Sequence, residues 1–169
     1  MSLLLLVVVV GLVAGQRLFE LRLSKKNERK LRSRGAIESG AGHYPFMVAL
    51  HSLWLGSMLV EGLFRVPEFH GFWLFVFLTV QPVRYWAISV LGDRWNTKVL
   101  IVPGEQLVRR GPYRYLSHPN YVVVVVEILA LPLVFGCWVT ALVFTLLNAA
   151  LLYVRTGEEN RALSGSPRR

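Results

Sequence analysis

Two short polar segments contain the residues whose types could do chemistry. The first, residues 118–121, reads His-Pro-Asn-Tyr and stands where a helix would begin, because Pro119 suits the first helical turn. Backbone N–H groups at a helix start have no intrahelical partner and favour an anion such as a carboxylate. The second segment begins at Arg155 and includes Glu158 and Glu159. Together the two segments offer an anion site, one cation and two carboxylates.

Two apolar runs, residues 121–135 and 137–154, separate these segments and are divided at Gly136. The run of five valines after Tyr121 would favour a strand in water, but a helix satisfies its own backbone hydrogen bonds in lipid. We therefore predict two helices joined by a tight turn. Because such a hairpin brings its two ends together, the segment at 118–121 should lie beside the segment at 155–159.

A simpler interpretation of both segments stays open on residue types alone. His118 could be an interfacial histidine, and Glu158 and Glu159 could belong to a solvated tail. The histidines do not cluster in the sequence and no spacing fits a zinc site, so no metal site is predicted. Neither a glycine-rich phosphate loop nor a nucleophile elbow is present in the sequence. These residues by themselves indicate a membrane protein with a polar cytoplasmic pocket.

The elements that must position these residues are membrane helices. Of the 169 residues, 54% are hydrophobic and 17% are charged, whereas a soluble domain carries about 25% charged residues. The apolar residues are clumped into runs long enough to span a bilayer. We predict an all-α integral membrane protein with a single domain, residues 1–169, and about five transmembrane helices. The predicted spans are residues 2–15 extended to 23, 44–64, 72–90, 121–135 and 137–154.

Basic residues determine the predicted orientation, because cytoplasmic segments of membrane proteins are enriched in Lys and Arg. Eight of the 19 basic residues lie in residues 17–43, five in residues 92–118 and four from residue 155 onward. The segments on the opposite side contain only Arg65. We predict that the N-terminus is outside and the C-terminus is in the cytoplasm. The net charge of +9 is then an orientation signal, and no nucleic-acid partner is predicted.

Charged residues at the edges of the apolar runs have predicted positions as well. Arg17 and Glu20 should lie near the interface, where long side chains snorkel. Residues 17–43 should form either a basic helix at the membrane surface or a solvated segment. Arg84 lies inside a predicted span and should face the bundle or a polar cavity, with a structural ion pair or snorkelling as its simpler roles. Pro82 predicts a kink in the same span.

Two sequence motifs, one on each side of the hairpin, resemble a known family. Residues 107–121 read LVRRGPYRYLSHPNY, which contains a Gly-x-Tyr, a short aromatic stretch and a His-Pro-x-Tyr at a helix start. After the hairpin, Arg155, Glu159 and Leu163 follow one another at intervals of four residues. The two motifs together resemble the isoprenylcysteine carboxyl methyltransferase family.

The resemblance covers roughly residues 70–163, which would form the cofactor-binding core. Residues 1–69 would then supply N-terminal helices and a basic loop, and residues 164–169 a tail. The segments at 94–104 and 43–45 are similar to a small bacterial branch of the family that is associated with methylating long-chain alkylpyrones and alkylresorcinols. The resemblance thus implies a location in the bacterial cytoplasmic membrane, with the active site on the cytoplasmic side.

The resemblance also implies S-adenosylmethionine (SAM) as cofactor. The SAM carboxylate would meet His118, the ammonium would pair with Glu159, and the sulfonium would face an aromatic ring such as that of Tyr113 or Tyr121. Arg155 and Glu159 would be catalytic, with Arg155 holding an anionic oxygen nucleophile in line with the methyl group. The residues implied to line the cofactor pocket are Gln106, Leu107, Val108, Tyr113, His118, Pro119, Asn120, Tyr121 and Glu159.

The expected function is transfer of a methyl group from SAM to an oxygen of a lipophilic or prenylated substrate that enters from the bilayer. The acceptor would be an isoprenylcysteine-type carboxylate or the hydroxyl of a long-chain alkylpyrone or alkylresorcinol. A carboxylate is already ionised at neutral pH, whereas a phenol with a pKa near 10 needs a base, for which His118 or Glu158 is the hypothesis. The alternatives are a phospholipid amine N-methyltransferase, a membrane reductase, for which the dinucleotide fingerprint is missing, and a non-enzymatic small multi-span protein.

Overall fold

The computed structural model describes residues 2–40, 42 and 44–164, with side chains as far as Glu159. His43, the side chain of Leu163 and residues 165–169 lie outside the described residues. Within the described part, five α-helices and one two-stranded ribbon follow one another, which confirms the all-α prediction. The helices are α1 (Ser2–Ser33), α2 (Tyr44–Phe64), α3 (Gly71–Leu91), α4 (Pro119–Val134) and α5 (Trp138–Ser164), and the strands are β1 (Ile37–Ser39) and β2 (Val99–Ile101).

The helices have the lengths of a multi-span membrane protein. In the described part of the chain, four of them, α1, α2, α3 and α5, are long and apolar enough to cross a bilayer. The fifth, α4, has 16 residues. At a rise of 1.5 Å per residue it is about 24 Å long, which is shorter than a hydrocarbon core of about 30 Å. The fold is therefore a multi-span bundle with four typical spans and one shorter apolar helix.

Helix α1 differs from the prediction, because the first span and the basic segment form one helix. It runs unbroken from Ser2 to Ser33 and contains all of the basic residues between Arg17 and Arg32. Leu, Glu, Lys and Arg are good helix formers, and no proline interrupts them. Gly35, with φ +82°, has the left-handed conformation that commonly closes a helix. The basic segment is therefore helical as far as Ser33, as a continuation of the first span.

Four charged side chains form a cluster in the interior of the bundle. Arg84 donates through Nε and Nη2 to the two oxygens of Glu20, and through Nη1 to Glu127 Oε2 at 2.9 Å. Arg17 donates to the same Glu127 oxygen at 2.6 Å and to Glu20 Oε2 at 3.0 Å. Glu20, Arg84 and Glu127 are only 3%, 4% and 0% exposed. Two cations and two anions thus neutralise one another between α1, α3 and α4.

This cluster confirms the prediction for Arg84 and corrects the prediction for two other residues. Arg84 faces the bundle and forms a structural ion pair, as expected. Arg17 and Glu20 do not snorkel at the interface, because opposite charges on α3 and α4 hold them inside. Glu127 carries no prediction from the sequence, although an ionisable residue in the middle of an apolar run signals an intramembrane partner.

Side chains of α1 also hold the segment that leads from α3 to α4. Asn27 Nδ2 donates to the carbonyl oxygens of Gly92 and Trp95, at 3.1 and 2.8 Å, where the chain leaves α3. Beyond this point β1 and β2 pair antiparallel, with Glu38 opposite Leu100. The segment before α4 is therefore attached to the N-terminal part of the chain at two places, and these attachments position the start of α4.

Helix α2 fixes the other side of the hairpin formed by α4 and α5. Its Trp54 is fully buried in the apolar core, and the indole Nε1 donates to the Ile128 carbonyl of α4 at 3.2 Å. Near its end, the Glu61 carboxylate accepts hydrogen bonds from the backbone N–H groups of Val139 and Thr140. Glu61 thus satisfies two of the N–H groups that have no partner at the start of α5.

Replacing Arg84 with Gln should strongly destabilise the protein, because the two buried carboxylates would share one cation. Breaking a buried ion pair costs about 3–5 kcal/mol. The matched control is Lys30→Gln, since Lys30 and Asp93 pair at 2.8 Å but are 43% and 47% exposed. An exposed pair contributes at most about 1 kcal/mol. Thermal unfolding of the detergent-purified protein measures both losses, and equal small losses would contradict a stabilising role for the cluster.

Candidate functional site

The start of α4 and the last turns of α5 meet at the open end of the hairpin, as the sequence predicts. Tyr121 donates its hydroxyl hydrogen to Glu159 Oε2 at 2.6 Å. Arg155 Nε in turn donates to the Tyr121 oxygen at 2.8 Å. The turn that makes this possible contains Gly136 with φ +69°, which reverses the chain between the two helices. Two residues of α5 and one of α4 therefore form a continuous hydrogen-bonded unit.

His118 and Arg155 lie against the two sides of this unit. The His118 imidazole is parallel to the Tyr121 ring, with ring centroids 4.8 Å apart and planes inclined by 7°. Its Nδ1 lies 3.6 Å from Glu159 Oε2. The Arg155 guanidinium lies 5.3 Å from the centre of the Tyr121 ring and also contacts the sulfur of Met47 on α2. The site thus combines a cation, a carboxylate and two rings, and Arg155 is only 7% exposed.

Tyr113 approaches the same carboxylate from the loop before α4. It stands in a short 3-10 turn, Gly111–Arg114, in which Pro112 is buried. Burial, and to a lesser extent the negative charge of Glu159, raise the pKa of the Tyr113 phenol to about 12. At neutral pH Tyr113 is therefore protonated, so that it can donate a hydrogen bond but cannot serve as a base.

One buried polar atom at the start of α4 has no partner among the described residues. Asn120 Oδ1 is buried and accepts no hydrogen bond from any described residue. Because an unpaired buried oxygen is costly, such an atom commonly marks the place of a ligand or an ordered water.

A cavity opens beside Tyr121. Its volume of about 640 Å³ is within the usual range for small-molecule sites. It is lined by Tyr121, Ala149, Leu152, Tyr153, Val154, Thr156 and Gly157.

Three residues implied to line the pocket are not joined to this unit. Leu107 is 62% exposed, and Gln106 is exposed with its carbonyl accepting a hydrogen bond from Arg94 at 2.9 Å. Within the described part of the chain, no hydrogen bond or ion pair links Gln106, Leu107 or Val108 to the unit around Tyr121. The structure thus brings His118, Tyr121, Arg155 and Glu159 together. Tyr113 and Asn120, which the resemblance also implies, lie next to this unit, whereas residues 106–108 are not joined to it.

Met47 is a neighbour of the site that the sequence does not reveal. It lies on α2, far from both motifs in sequence, and nothing in its type or spacing points to Arg155. Pro119, by contrast, has the position that the sequence predicts, since it is buried in the first turn of α4 and His118 precedes the helix. Residues within the hairpin could be placed from sequence, and residues from α2 could not.

Comparison with known proteins assigns this region to a family. The model of the isoprenylcysteine carboxyl methyltransferase (ICMT) family matches residues 73–165, which is more than half of the chain and includes the whole site. Uncharacterized protein YpbQ of Bacillus subtilis is 43% identical over 158 residues, which cover 92% of this chain and 94% of that protein. An uncharacterized protein of Haemophilus influenzae is 26% identical over 152 residues, or 88% of each chain. No solved structure matches the chain.

Replacing Gly111 with Ala should destabilise the turn that carries Tyr113 more than Gly104→Ala destabilises its own turn. Both glycines have positive φ, +58° and +81°, so both variants share a backbone cost of about 1–2 kcal/mol. A Cβ at Gly111 would lie 2.7 Å from Val90 Cγ2 and 3.2 Å from Trp86 Nε1, whereas a Cβ at Gly104 meets no atom within 4 Å. Thermal unfolding compares the two, and an equal loss would show that α3 does not restrict this turn.

Proposed function

Because the chain belongs to the isoprenylcysteine carboxyl methyltransferase family, we propose that it transfers a methyl group from SAM to an oxygen of a lipophilic acceptor. The observation that carries the proposal is the unit of Tyr121, Glu159, Arg155 and His118 at the open end of the hairpin. This unit lies within the matched region and joins the two motifs that the sequence singles out. The family implies a membrane methyltransferase. That SAM is the methyl donor and that the acceptor is lipophilic are proposed here.

The polar groups of the site fit a zwitterionic sulfonium ligand. Glu159 provides a carboxylate that can pair with the ammonium group. The positive end of the α4 dipole, together with His118, suits a carboxylate. The Tyr121 ring offers an aromatic face to a cation. Asn120 Oδ1 is a buried acceptor without a partner in the described part of the chain, so it is available to an N–H group of a ligand. When bound, SAM would supply a methyl group on a positively charged sulfur.

The position of Arg155 suits the acceptor rather than the cofactor. Its Nε donates a hydrogen bond to the Tyr121 hydroxyl oxygen, and its guanidinium is held between the Tyr121 ring and the sulfur of Met47. A guanidinium fixed on two sides can hold an anionic oxygen in one orientation with little loss of entropy. Arg155 therefore holds and orients the acceptor oxygen, and catalysis would come mainly from positioning.

The acceptor can be a carboxylate or a more weakly acidic hydroxyl. A carboxylate reaches Arg155 already ionised, so that the site needs no base. A phenol must first lose a proton, and Tyr113 cannot accept it, because its own pKa is raised to about 12. Of the two bases predicted from the sequence, His118 stacks on Tyr121 and has its Nδ1 3.6 Å from Glu159, so it is the candidate base for such an acceptor. A carboxylate acceptor thus requires less of this site than a phenol does, because it needs no base.

The acceptor would reach the site from the lipid. Tyr153 of α5 lines the cavity and is 85% exposed, and Leu152 lines it too, so the cavity opens at the outer surface of the hairpin, which would face lipid. The excess of basic residues in residues 17–43 and 92–118 supports a site on the cytoplasmic side. Because two relatives come from bacteria, the membrane of this proposal would be a bacterial cytoplasmic membrane.

One observation favours a second candidate, a non-enzymatic membrane protein such as a transporter subunit. Transport sites use ionisable residues in mid-membrane, and the cluster of Arg17, Glu20, Arg84 and Glu127 lies inside the bundle. The four charges are paired with one another, however, so no net charge remains to attract an ion. Direct measurement of SAM binding separates the two candidates.

Calorimetry should show roughly micromolar SAM binding to the purified protein, and Glu159→Gln and His118→Ala should each weaken it about 10–100-fold. The reason is that each variant removes a group that would pair with a charge of the ligand, while Glu159→Gln keeps the size of the side chain. Asp93→Asn is the control, since Asp93 is a half-exposed carboxylate paired with Lys30. Absence of binding by folded wild-type protein would overturn the proposal and favour the non-enzymatic candidate.

Arg155→Lys should lower kcat roughly 100-fold while changing SAM affinity little, because Lys keeps the charge but loses the bond to Tyr121 and the planar group. Arg114→Lys is the control, since Arg114 lies exposed in the preceding loop. Methyl transfer to a prenylated carboxylate and to a long-chain phenol should be measured with each variant. A parallel fall in SAM affinity would place Arg155 on the cofactor and contradict its role toward the acceptor.

A further inference from the structure

Helix α1 carries four basic side chains that the fold itself does not use. Arg22, Lys25, Lys26 and Arg29 are all exposed, and none of them forms a salt bridge within the described part of the chain. Their spacing of three, four and seven residues from Arg22 places them on one face of the helix. We call these four residues the basic stripe.

The carboxylates on this side of the membrane are used elsewhere. Glu28, Glu38, Asp93 and Glu105 all pair with basic residues outside the stripe. The other face of α1 is attached to the protein, since Asn27 binds the chain after α3. Within the described part of the chain, the stripe is therefore a face of concentrated positive charge with no carboxylate in a salt bridge to it. The only described carboxyl on which its charge is seen to act is Asp93, whose pKa is lowered mainly by Lys30 and also by Lys26. The basic partners of these carboxylates are Lys30, Arg32, Arg34, Arg94 and Lys98.

The stripe begins where the exposed apolar residues of α1 end, which is where the membrane surface is expected. Leu18 and Phe19 are 57% and 62% exposed, and they lie one turn before the stripe on the same face of a helix long enough to span the bilayer. The apolar face of α1 thus ends where the stripe begins. From Arg22 to Arg29 the helix advances about 10 Å, and Lys and Arg side chains can extend along the axis, which is enough to cover the headgroup layer.

We propose that the basic stripe of α1 binds the phosphate headgroups of anionic phospholipids in the adjacent leaflet, which is the cytoplasmic one by the charge distribution. Charge complementarity and depth in the bilayer support this partner. Each Lys or Arg near an anionic membrane surface adds attraction, and several on one face act together. This binding does not depend on the proposed methyl transfer, because it uses no residue of the site at the end of the hairpin.

The test uses the full-length protein in phosphatidylcholine vesicles that contain increasing fractions of phosphatidylglycerol, with thermal unfolding as the readout. Anionic lipid that binds the folded protein should raise the unfolding temperature of the wild type, and salt should weaken the effect. The variant Lys25→Gln, Lys26→Gln, Arg29→Gln should need at least about tenfold more phosphatidylglycerol for the same shift. Gln is as good a helix former as Lys and Arg, so α1 should remain folded.

The matched control removes the same number of charges from another exposed place. Arg109, Arg110 and Arg114 are exposed in the loop before α4, and the variant with all three replaced by Gln should respond like the wild type. Equal weakening in both variants would mean that only net charge matters, which overturns the stripe as a site. The same shift produced by inorganic phosphate alone, or by soluble polyglutamate, would assign the stripe to a free anion or an acidic polypeptide and overturn lipid binding.

Discussion

The fold depends on a single constraint, that charges placed inside a bilayer must find opposite charges. Arg84 and Glu127 stand in the middle of apolar helices, where an unpaired charge would cost several kcal/mol. Because Arg84 bonds to both Glu20 and Glu127, and Arg17 bonds to the same two carboxylates, the observed arrangement of α1, α3 and α4 pairs every charge of the cluster. Apolar packing alone, which is weakly directional, would leave these helices free to rotate or slide.

The site at the end of the hairpin inherits its position from this cluster. Glu127 and Tyr121 lie on the same helix, six residues apart, which corresponds to about 9 Å along the axis. When the cluster fixes the rotation and depth of α4, it also fixes the Tyr121 hydroxyl between Arg155 and Glu159. The turn at Gly136 then has only to bring α5 back alongside α4. Helix α4 thus joins the interior charge cluster to the polar site as one rigid element.

The hairpin and its polar end could be predicted from the sequence because both follow from local rules. Apolar runs of known length imply helices, and a short turn implies that residues 118–121 meet residues 155–159. The interior cluster could not be predicted in the same way, since Arg17 and Glu20 have ordinary positions at the end of an apolar run. Their burial depends on Glu127 and Arg84, which are distant in sequence, and only the packing of α1 against α3 and α4 decides it.

The distribution of charge explains how an N-terminal part outside the family match is joined to the matched core. The match begins at residue 73, so Arg17 and Glu20 lie outside it, whereas Arg84 and Glu127 lie inside. Each part contributes one cation and one anion to the cluster, so its share of the cluster is neutral by itself. Yet Arg84 directs Nε and Nη2 to Glu20, and those donors would have no protein partner if α1 were absent. Neither part therefore brings an unpaired charge to the cluster, and the hydrogen bonds that cross between the parts make α1 specific to this core.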